Sequence, residues 1–186
     1  MKTDRRTIKT QTAFKDALFQ LLKEKDLEKI TISELSETAN VSRMAFYYHY
    51  EDIFDLYKKT KDAFFTEFSS LYDKSEDHNY RNNMSLLQSF LRNNAEAVKH
   101  FATKSDNNQF RTQLASTLEE QFRKIVMYEM NTVESTDYLN YMITYHSAGI
   151  YAVYMKWIES DFAWSDEQLL NLIREIDEAC DSLYHH

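Results

Sequence analysis

The segment VSRMAFYYHY, residues 41–50, concentrates side chains that can donate hydrogen bonds or stack on a flat partner. Such a run can be core, a cage for a ligand, or a surface that touches a partner. In a helix, Phe46 and Tyr50 lie at i and i+4 on one face. The remaining chemistry-bearing side chains point away from that face: Arg43, Tyr47, Tyr48 and His49.

Two helices must position this segment from its amino-terminal side. Residues 8–25 carry apolar side chains at i, i+3, i+4, i+7 and i+8, which predicts an amphipathic helix. Thr31 followed by Glu34 forms the pattern of a capping box, which predicts a short helix over residues 33–38.

The next junction predicts a helix-turn-helix. Asn40 can adopt the left-handed conformation that ends a helix, and Ser42 is a good N-cap for a third helix. Two short helices joined by a tight turn form this motif. A fourth helix is expected from about residue 51 to 72.

The rest of the chain is also predicted to be helical. Residues 73–84 are polar and indicate a linker. The predicted helices after it are residues 85–103, 109–130, 136–159, and one that begins at the Ser165 capping box. We therefore predict an all-α fold, with an N-terminal three-helix helix-turn-helix domain at residues 1–55 and a dimerising helical bundle at 56–186.

Composition excludes several classes of protein. The chain has 186 residues with one glycine, Gly149, and no proline. Gly-rich phosphate loops, Rossmann fingerprints and the serine elbow of hydrolases are therefore absent. No motif places a nucleophile beside a base, so we predict that the chain is not an enzyme and needs no cofactor. The lone Cys180 rules out an intrachain disulfide and a multi-cysteine zinc site.

Charge and hydropathy predict the cellular compartment of the protein. Residues 1–60 hold 11 Lys and Arg against 10 Asp and Glu, whereas residues 61–186 hold 11 against 20. The basic character is thus local to the amino-terminal part. The sequence has no secretory leader pattern and no apolar run of membrane-spanning length, so we expect a reduced, cytoplasmic protein without a membrane segment.

The stretch TISELSETANVSRMAFYYHYEDIFDLY resembles the DNA-binding region of the TetR family of bacterial transcription regulators, over about residues 8–57. The matching positions are Thr31, Leu35, Ala39, Val41, Ser42, the aromatic run and Leu56. The chain departs from the family pattern twice. Asn40 stands at a usual glycine, and Ile53 stands at a usual lysine that contacts a phosphate.

The resemblance implies that the third helix enters the major groove of DNA. The predicted base contacts are Arg43, Met44, Ala45 and Tyr48. The predicted phosphate contacts through OH or NH donors are Thr31, Ser42, Tyr47 and His49. A basic arm is expected to track phosphates or enter the minor groove, and its residues are Lys2, Arg5, Arg6 and Lys9.

The resemblance also implies a small-molecule effector pocket in the C-terminal domain. This domain is rich in aromatic residues, and Tyr hydroxyls need partners when they are buried. The residues that we predict to bind the effector are Phe64, Phe68, Tyr141, Tyr145 and His146.

The predicted helix 136–159 is apolar nearly all round and must be covered on more than one side. YHSAGIYAVYMKWIESDFAWSDEQL resembles the last two helices of one TetR branch, a region that forms the dimer interface. We predict a two-fold dimer in which these helices pair with their copies. The predicted interface residues are Ala148, Gly149, Ala152, Leu169, Ile173, Ile176 and Cys180.

These expectations combine into an effector-responsive repressor that binds a palindromic operator as a homodimer. Two alternatives use the same scaffold. One is a metal-responsive regulator with ligands from His78, His100, His146, Cys180, His185 and His186. The other is a co-activator that binds another protein.

Overall fold

The computed structural model describes residues 5–74, 79–103 and 107–184, and all regular elements within these ranges are helical. The prediction of an all-α fold is confirmed. The α-helices are α1 Arg5–Leu22, α2 Ile32–Thr38, α3 Arg43–His49, α4 Ile53–Ser69, α5 Tyr80–Asn93, α6 Ala95–Thr103, α7 Asn107–Glu129, α8 Asp137–Glu159 and α9 Asp166–Tyr184. Short 3₁₀ turns cover Leu27–Lys29 and Tyr72–Lys74.

The first compact unit, Met1–Thr66, is organised around Phe14 of α1. Its ring lies 5.4 Å from that of Phe46 and 6.2 Å from that of Tyr50, both edge to face. Phe14 and Phe46 are completely buried and Tyr50 nearly so. The predicted core face of α3 is confirmed, because these rings anchor α3 against α1.

Local capping chemistry sets the helix boundaries around α2 and α3. The Thr31 hydroxyl accepts a hydrogen bond from the Glu34 N–H, and the Glu34 carboxylate accepts one from the Thr31 N–H, as a capping box requires. Asn40 has φ of 51°, the left-handed conformation. The Ser42 hydroxyl accepts from the Ala45 N–H at 3.2 Å. The sequence predictions for these three positions are confirmed.

The second compact unit, Glu67–His186, holds α5 to α9 and the end of α4. Helix α8 packs most extensively against α7. The buried side of α8 consists of Leu139, Ile143, Ser147, Ile150, Tyr154, Met155, Trp157 and Ile158. The Ser165 capping box forms as predicted, with reciprocal hydrogen bonds to Gln168.

Two predicted boundaries in this unit were wrong. Helix α5 begins at Tyr80, inside the predicted linker, because the Asn79 side chain accepts from the Asn82 N–H and caps it. The predicted single helix 85–103 is two helices. Asn94 interrupts it, with φ of −110° and a side chain that donates to the Phe90 carbonyl.

The boundary between the two compact units falls within α4, after Thr66. The functional boundary that the sequence places at 55/56 stays a prediction. Among the residues that the structure describes, none of the helices combines the length and apolar character that crossing a membrane requires.

Candidate nucleic-acid interface and a second exposed face

Helix α3 presents large side chains to solvent on the side opposite its core face. Met44 is 84% exposed, Tyr48 83% and Tyr47 61%, and Arg43 is exposed beside them. Ala45 is half-buried. Exposure of this much apolar and aromatic surface on a seven-residue helix is a feature of contact surfaces. Three of the four predicted base contacts are therefore exposed, and the role of all four stays a prediction.

The hydroxyl groups of Ser42 and Thr31, both predicted phosphate contacts, differ in whether the hydroxyl proton is already used in a hydrogen bond. The Ser42 hydroxyl uses a lone pair for the Ala45 N–H, so its proton remains able to donate outward. The Thr31 hydroxyl instead donates to the Glu34 carboxylate at 2.9 Å. A phosphate contact by Thr31 would have to displace that carboxylate, and the role of Thr31 stays a prediction.

Glu34 is held as a carboxylate by its neighbours. Lys25 lies 2.8 Å away, and the Thr31 N–H and hydroxyl add two hydrogen bonds. Together they lower the pKa of Glu34 to about 2, with the Lys25 contact as the largest cause. The Glu34 carboxylate therefore occupies the amino-terminal end of α2.

His49 and the basic residues near the start of α1 are the remaining predicted contacts. His49 is half-buried and its ring lies edge-on to Tyr48 at 4.9 Å. Arg5 and Arg6 are exposed in the first turn of α1, so these two residues are helical. Lys2 lies outside the described residues.

The departure at Ile53 has a structural explanation. Ile53 is 5% exposed, so its side chain belongs to the core of the first unit. The turn before α4 is closed by carboxylates: the Asp55 N–H donates to Asp52, and the Glu51 N–H donates to Asp55. This corner of the surface is therefore acidic where the family pattern has a lysine.

A second exposed face lies on α8, opposite its buried side. Its residues are Tyr138, Tyr141, Tyr145, Ala148, Gly149, Ala152 and Lys156. With α9 this face forms two open grooves of 420 and 390 Å³ that share Val153. A Cβ at Gly149 would meet nothing within 4 Å, so the protomer itself leaves open space there.

The predicted interface residues divide between this face and the protomer core. Ala148, Gly149, Ala152 and Ile176 are exposed. Leu169 and Ile173 are each 3% exposed, so their side chains pack within their own unit and line the groove floors, and their interface role stays a prediction. The side chain of Cys180 lies outside the described part of the structure.

The predicted effector residues differ in burial, and their role stays a prediction. Phe64 and Phe68 are buried, and the Phe68 ring stacks on Phe90 at 5.7 Å. Tyr141 and Tyr145 are 78% and 63% exposed on the α8 face, which places them on a surface and not in an enclosed cavity. His146 is half-buried and stacks on Phe122.

Sequence reasoning missed the polar group that is most deeply buried in the second unit. Gln88 of α5 is 1% exposed, and neither its amide oxygen nor its nitrogen has a hydrogen-bond partner among the described residues. A polar residue on an apolar helix stripe was the available signal. An unpaired buried amide typically costs about 1–3 kcal/mol.

The described residues contain no site for the metal-responsive alternative. Among them, no three His, Cys, Asp or Glu side chains are grouped so that they could hold an ion. His78, His185 and His186 lie outside the described residues. The alternative, which also drew on His100, His146, Cys180 and carboxylates, stays a prediction.

The chain is similar to known proteins in both sequence and fold. The family model of the TetR-type transcriptional regulator C-terminal region matches residues 78–177, more than half of the chain. An uncharacterized HTH-type transcriptional regulator of Bacillus subtilis (strain 168), YxbF, is 26% identical over 171 residues. That alignment covers 87% of this chain and 43% of YxbF, so the chain spans less than half the length of this relative.

Solved structures share the fold along nearly the whole chain. The dihydroxyacetone kinase operon activator DhaS matches with a TM-score of 0.72 and 20% identity, covering 94% of this chain and 97% of DhaS. A TerR/AcrR family transcriptional regulator from Aquifex aeolicus VF5 matches with a TM-score of 0.71 and 15% identity, covering 92% and 99%. At these identities the likeness concerns the fold.

Proposed function

The chain belongs to the TetR family of transcriptional regulators, and on this premise we propose that it is a homodimeric repressor that binds a palindromic DNA operator. Its family consists of regulators, which confirms the prediction that the chain is not an enzyme. The proposal concerns the operator, the dimer and the effector, and each rests on a separate feature.

Operator binding rests on the exposed side of α3, which is the observation that carries the proposal. A major groove accepts an α-helix, and base edges are recognised by groups such as the Arg43 guanidinium and by apolar contacts with thymine methyls. Met44 and Ala45 can supply the apolar contacts. Ser42, Tyr47 and His49 lie around them and can donate to phosphates, which position the helix without reading sequence.

The homodimer rests on the exposed α8 face. A glycine inside a helix costs roughly 0.5–1 kcal/mol relative to alanine, and nothing in the protomer requires one at Gly149. Close approach of another helix is a physical reason for small residues there, and Ala148 and Ala152 extend the strip. A second copy of α8 and α9 supplies such a helix and brings Tyr141 and Tyr145 out of water.

The effector response rests on Gln88. Its unpaired amide offers one acceptor and two donors inside an apolar unit, which suits a ligand with a neutral polar group. In the proposed mechanism effector binding shifts α4 and lowers operator affinity, with a coupling of about 1–3 kcal/mol. Repression rather than activation is the mode that we propose for the unliganded dimer.

The decisive experiment selects duplexes from a randomised DNA library with the full chain and measures affinity for the selected site over a salt series. We expect an inverted repeat whose half-sites are about one helical turn, 34–36 Å, apart. The logarithm of affinity should fall linearly with the logarithm of salt concentration, by about 0.9 for each phosphate contact. Enrichment of no sequence, or affinity independent of salt, would contradict the proposal and favour the protein-bound co-activator.

A further inference from the structure

A lysine joins the recognition helix to the helix that follows it. Lys59 of α4 reaches back ten residues, and its Nζ donates to the His49 carbonyl oxygen at 3.2 Å. The same Nζ donates to Asp55 Oδ2 at 2.8 Å and lies 5.5 Å from the centroid of the Tyr50 ring. One side chain thus contacts the last residue of α3, its C-cap and the first turn of α4.

The carbonyl that Lys59 contacts belongs to an exposed helix end. The last carbonyls of a helix have no partner within it, and a cation there also interacts favourably with the helix dipole. Because α3 has only seven residues, its last turn is a large part of the helix. After it, Tyr50 is extended, with φ of −138° and ψ of 143°, so the backbone hydrogen bonds of α3 do not continue into α4.

Asp55 holds the lysine in place from the other side. Its carboxylate also accepts the Glu51 N–H at 3.0 Å, and its side chain is 21% exposed. These bonds, of which the one from Lys59 is the largest cause, lower the pKa of Asp55 below its ordinary value. The chain of contacts from His49 through Lys59 and Asp55 to Glu51 spans the whole turn.

We propose that Lys59 is a positioning residue for operator recognition, which fixes α3 on α4 and passes displacements of α4 to the base-reading side chains. This inference rests on the proposed function. Two of the three Nζ donors are already used within the chain. In this proposal Lys59 acts through α3 and does not replace the phosphate contact that is missing at Ile53.

The test compares Lys59→Met with Lys58→Met in the full chain, on the selected operator duplex, by fluorescence anisotropy over a salt series. Lys58 is a matched control, because it is exposed on the same helix one residue away and makes none of these contacts with α3. One cation at a helix end typically changes an equilibrium constant by a factor of about two to five. Because a dimer has two copies of Lys59, Lys59→Met should weaken operator binding about three- to thirtyfold. We expect its salt slope to match that of wild type.

Two further variants separate positioning from folding. Lys59→Arg keeps the cation and should restore most of the affinity, whereas Asp55→Asn removes the partner of Lys59 and should reproduce part of the loss. Hydrogen exchange should become faster at the Tyr50 amide, which bonds to Phe46 in the last turn of α3, and stay unchanged in α1.

Each outcome decides a different point. Equal affinities for Lys59→Met and Lys58→Met would overturn the positioning role. A salt slope in Lys59→Met that falls by about one step per half-site would also overturn it, because Lys59 would then be a direct phosphate contact. If wild type itself binds no duplex in a salt-dependent way, the proposed function fails and not this inference alone.

Discussion

The chain exposes aromatic side chains on two surfaces, and these surfaces differ in their neighbours. On α3, Tyr47 and Tyr48 stand among hydrogen-bond donors, with Arg43 nearby. On α8, Tyr141 and Tyr145 stand beside small apolar residues and open grooves. Both pairs are more than 60% exposed, so exposure alone does not distinguish them.

The difference indicates two kinds of partner. A hydrated polyanion is recognised by donors that can replace water at phosphates and base edges. A second apolar helix is recognised by a strip of small residues that lets backbones approach and by aromatic rings that lose water. We therefore expect substitutions on the two surfaces to fail in different ways, and the following experiments test that expectation.

The largest effect is expected from Gly149→Arg. Because a Cβ at this position meets open space in the protomer, the variant should fold but place a charge in the proposed dimer interface. Separate protomers lose the effective concentration that links two half-sites, which typically changes affinity by about 10²- to 10⁴-fold. Sedimentation should show a monomer, and anisotropy should show the loss of operator binding.

Thr112→Arg, at an exposed position of α7, is the control for the added charge and should remain dimeric. A Gly149→Arg variant that stays dimeric with full operator affinity would remove the α8 face from the proposed interface.

The next largest effect is expected from Arg43→Ala. A bidentate contact to a base is worth about 1–3 kcal/mol of discrimination, so the preference for the operator over a duplex with that one base pair changed should fall roughly 5- to 150-fold. Binding to random DNA should change little. The measurement is a competition between the operator and single-base variants.

Arg43→Lys is the control, because it keeps the charge and loses the planar fork that reads guanine. Equal losses on operator and random DNA, with a reduced salt slope, would instead make Arg43 a phosphate contact. The dimer should stay intact in both variants, which separates this surface from α8.

Sequence predicted best what local chemistry determines. Thr31, Asn40, Ser42 and Ser165 each act within three or four residues, through caps and one left-handed residue, and all four predictions were confirmed. The break at Asn94 was missed, although its cause is also local, because asparagine is tolerated inside many helices.

The sequence was least informative about which side of a helix is buried against other helices of the same unit. Periodicity placed Leu169, Ile173 and Ile176 on one stripe of α9, but only the structure separates the two buried residues from the exposed one. The Lys59 contact was also missed, since it depends on the angle between two helices across a turn. The sequence also did not indicate that Tyr141 and Tyr145 are exposed on α8, and their effector role stays a prediction.

A smaller effect, of opposite sign, is expected from Asp52→Asn. The acidic corner before α4 should repel phosphates, and asparagine keeps the cap while removing the charge. At the separations typical of a partly solvated charge pair, the gain in operator affinity should be about two- to fivefold. Asp62→Asn is the control, because it lies about 15 Å farther along α4, beyond the screening length in physiological salt. An unchanged affinity for Asp52→Asn would place this corner away from the DNA.

The smallest expected effect is the acid sensitivity that Glu34 of α2 gives to the stability of the first compact unit. Its pKa is about 2 in the folded chain against an ordinary 4.5, so the unfolded chain takes up a proton first as the pH falls. The stability contributed by this carboxylate is therefore fully present above about pH 4.5 and is lost progressively towards pH 2. Because Glu34 is exposed to solvent and screened, the loss should be small.

Titration of the Glu34 carboxyl carbon by NMR should give a midpoint well below 4, and Glu34→Gln should remove the pH dependence of hydrogen exchange in the first turn of α2. Dimerisation through the α8 face, which belongs to the other compact unit, should be unaffected by Glu34→Gln. A midpoint near 4.5 would mean that Thr31 and Lys25 do not hold this carboxylate, and the Thr31 hydroxyl would then be free to contact a phosphate.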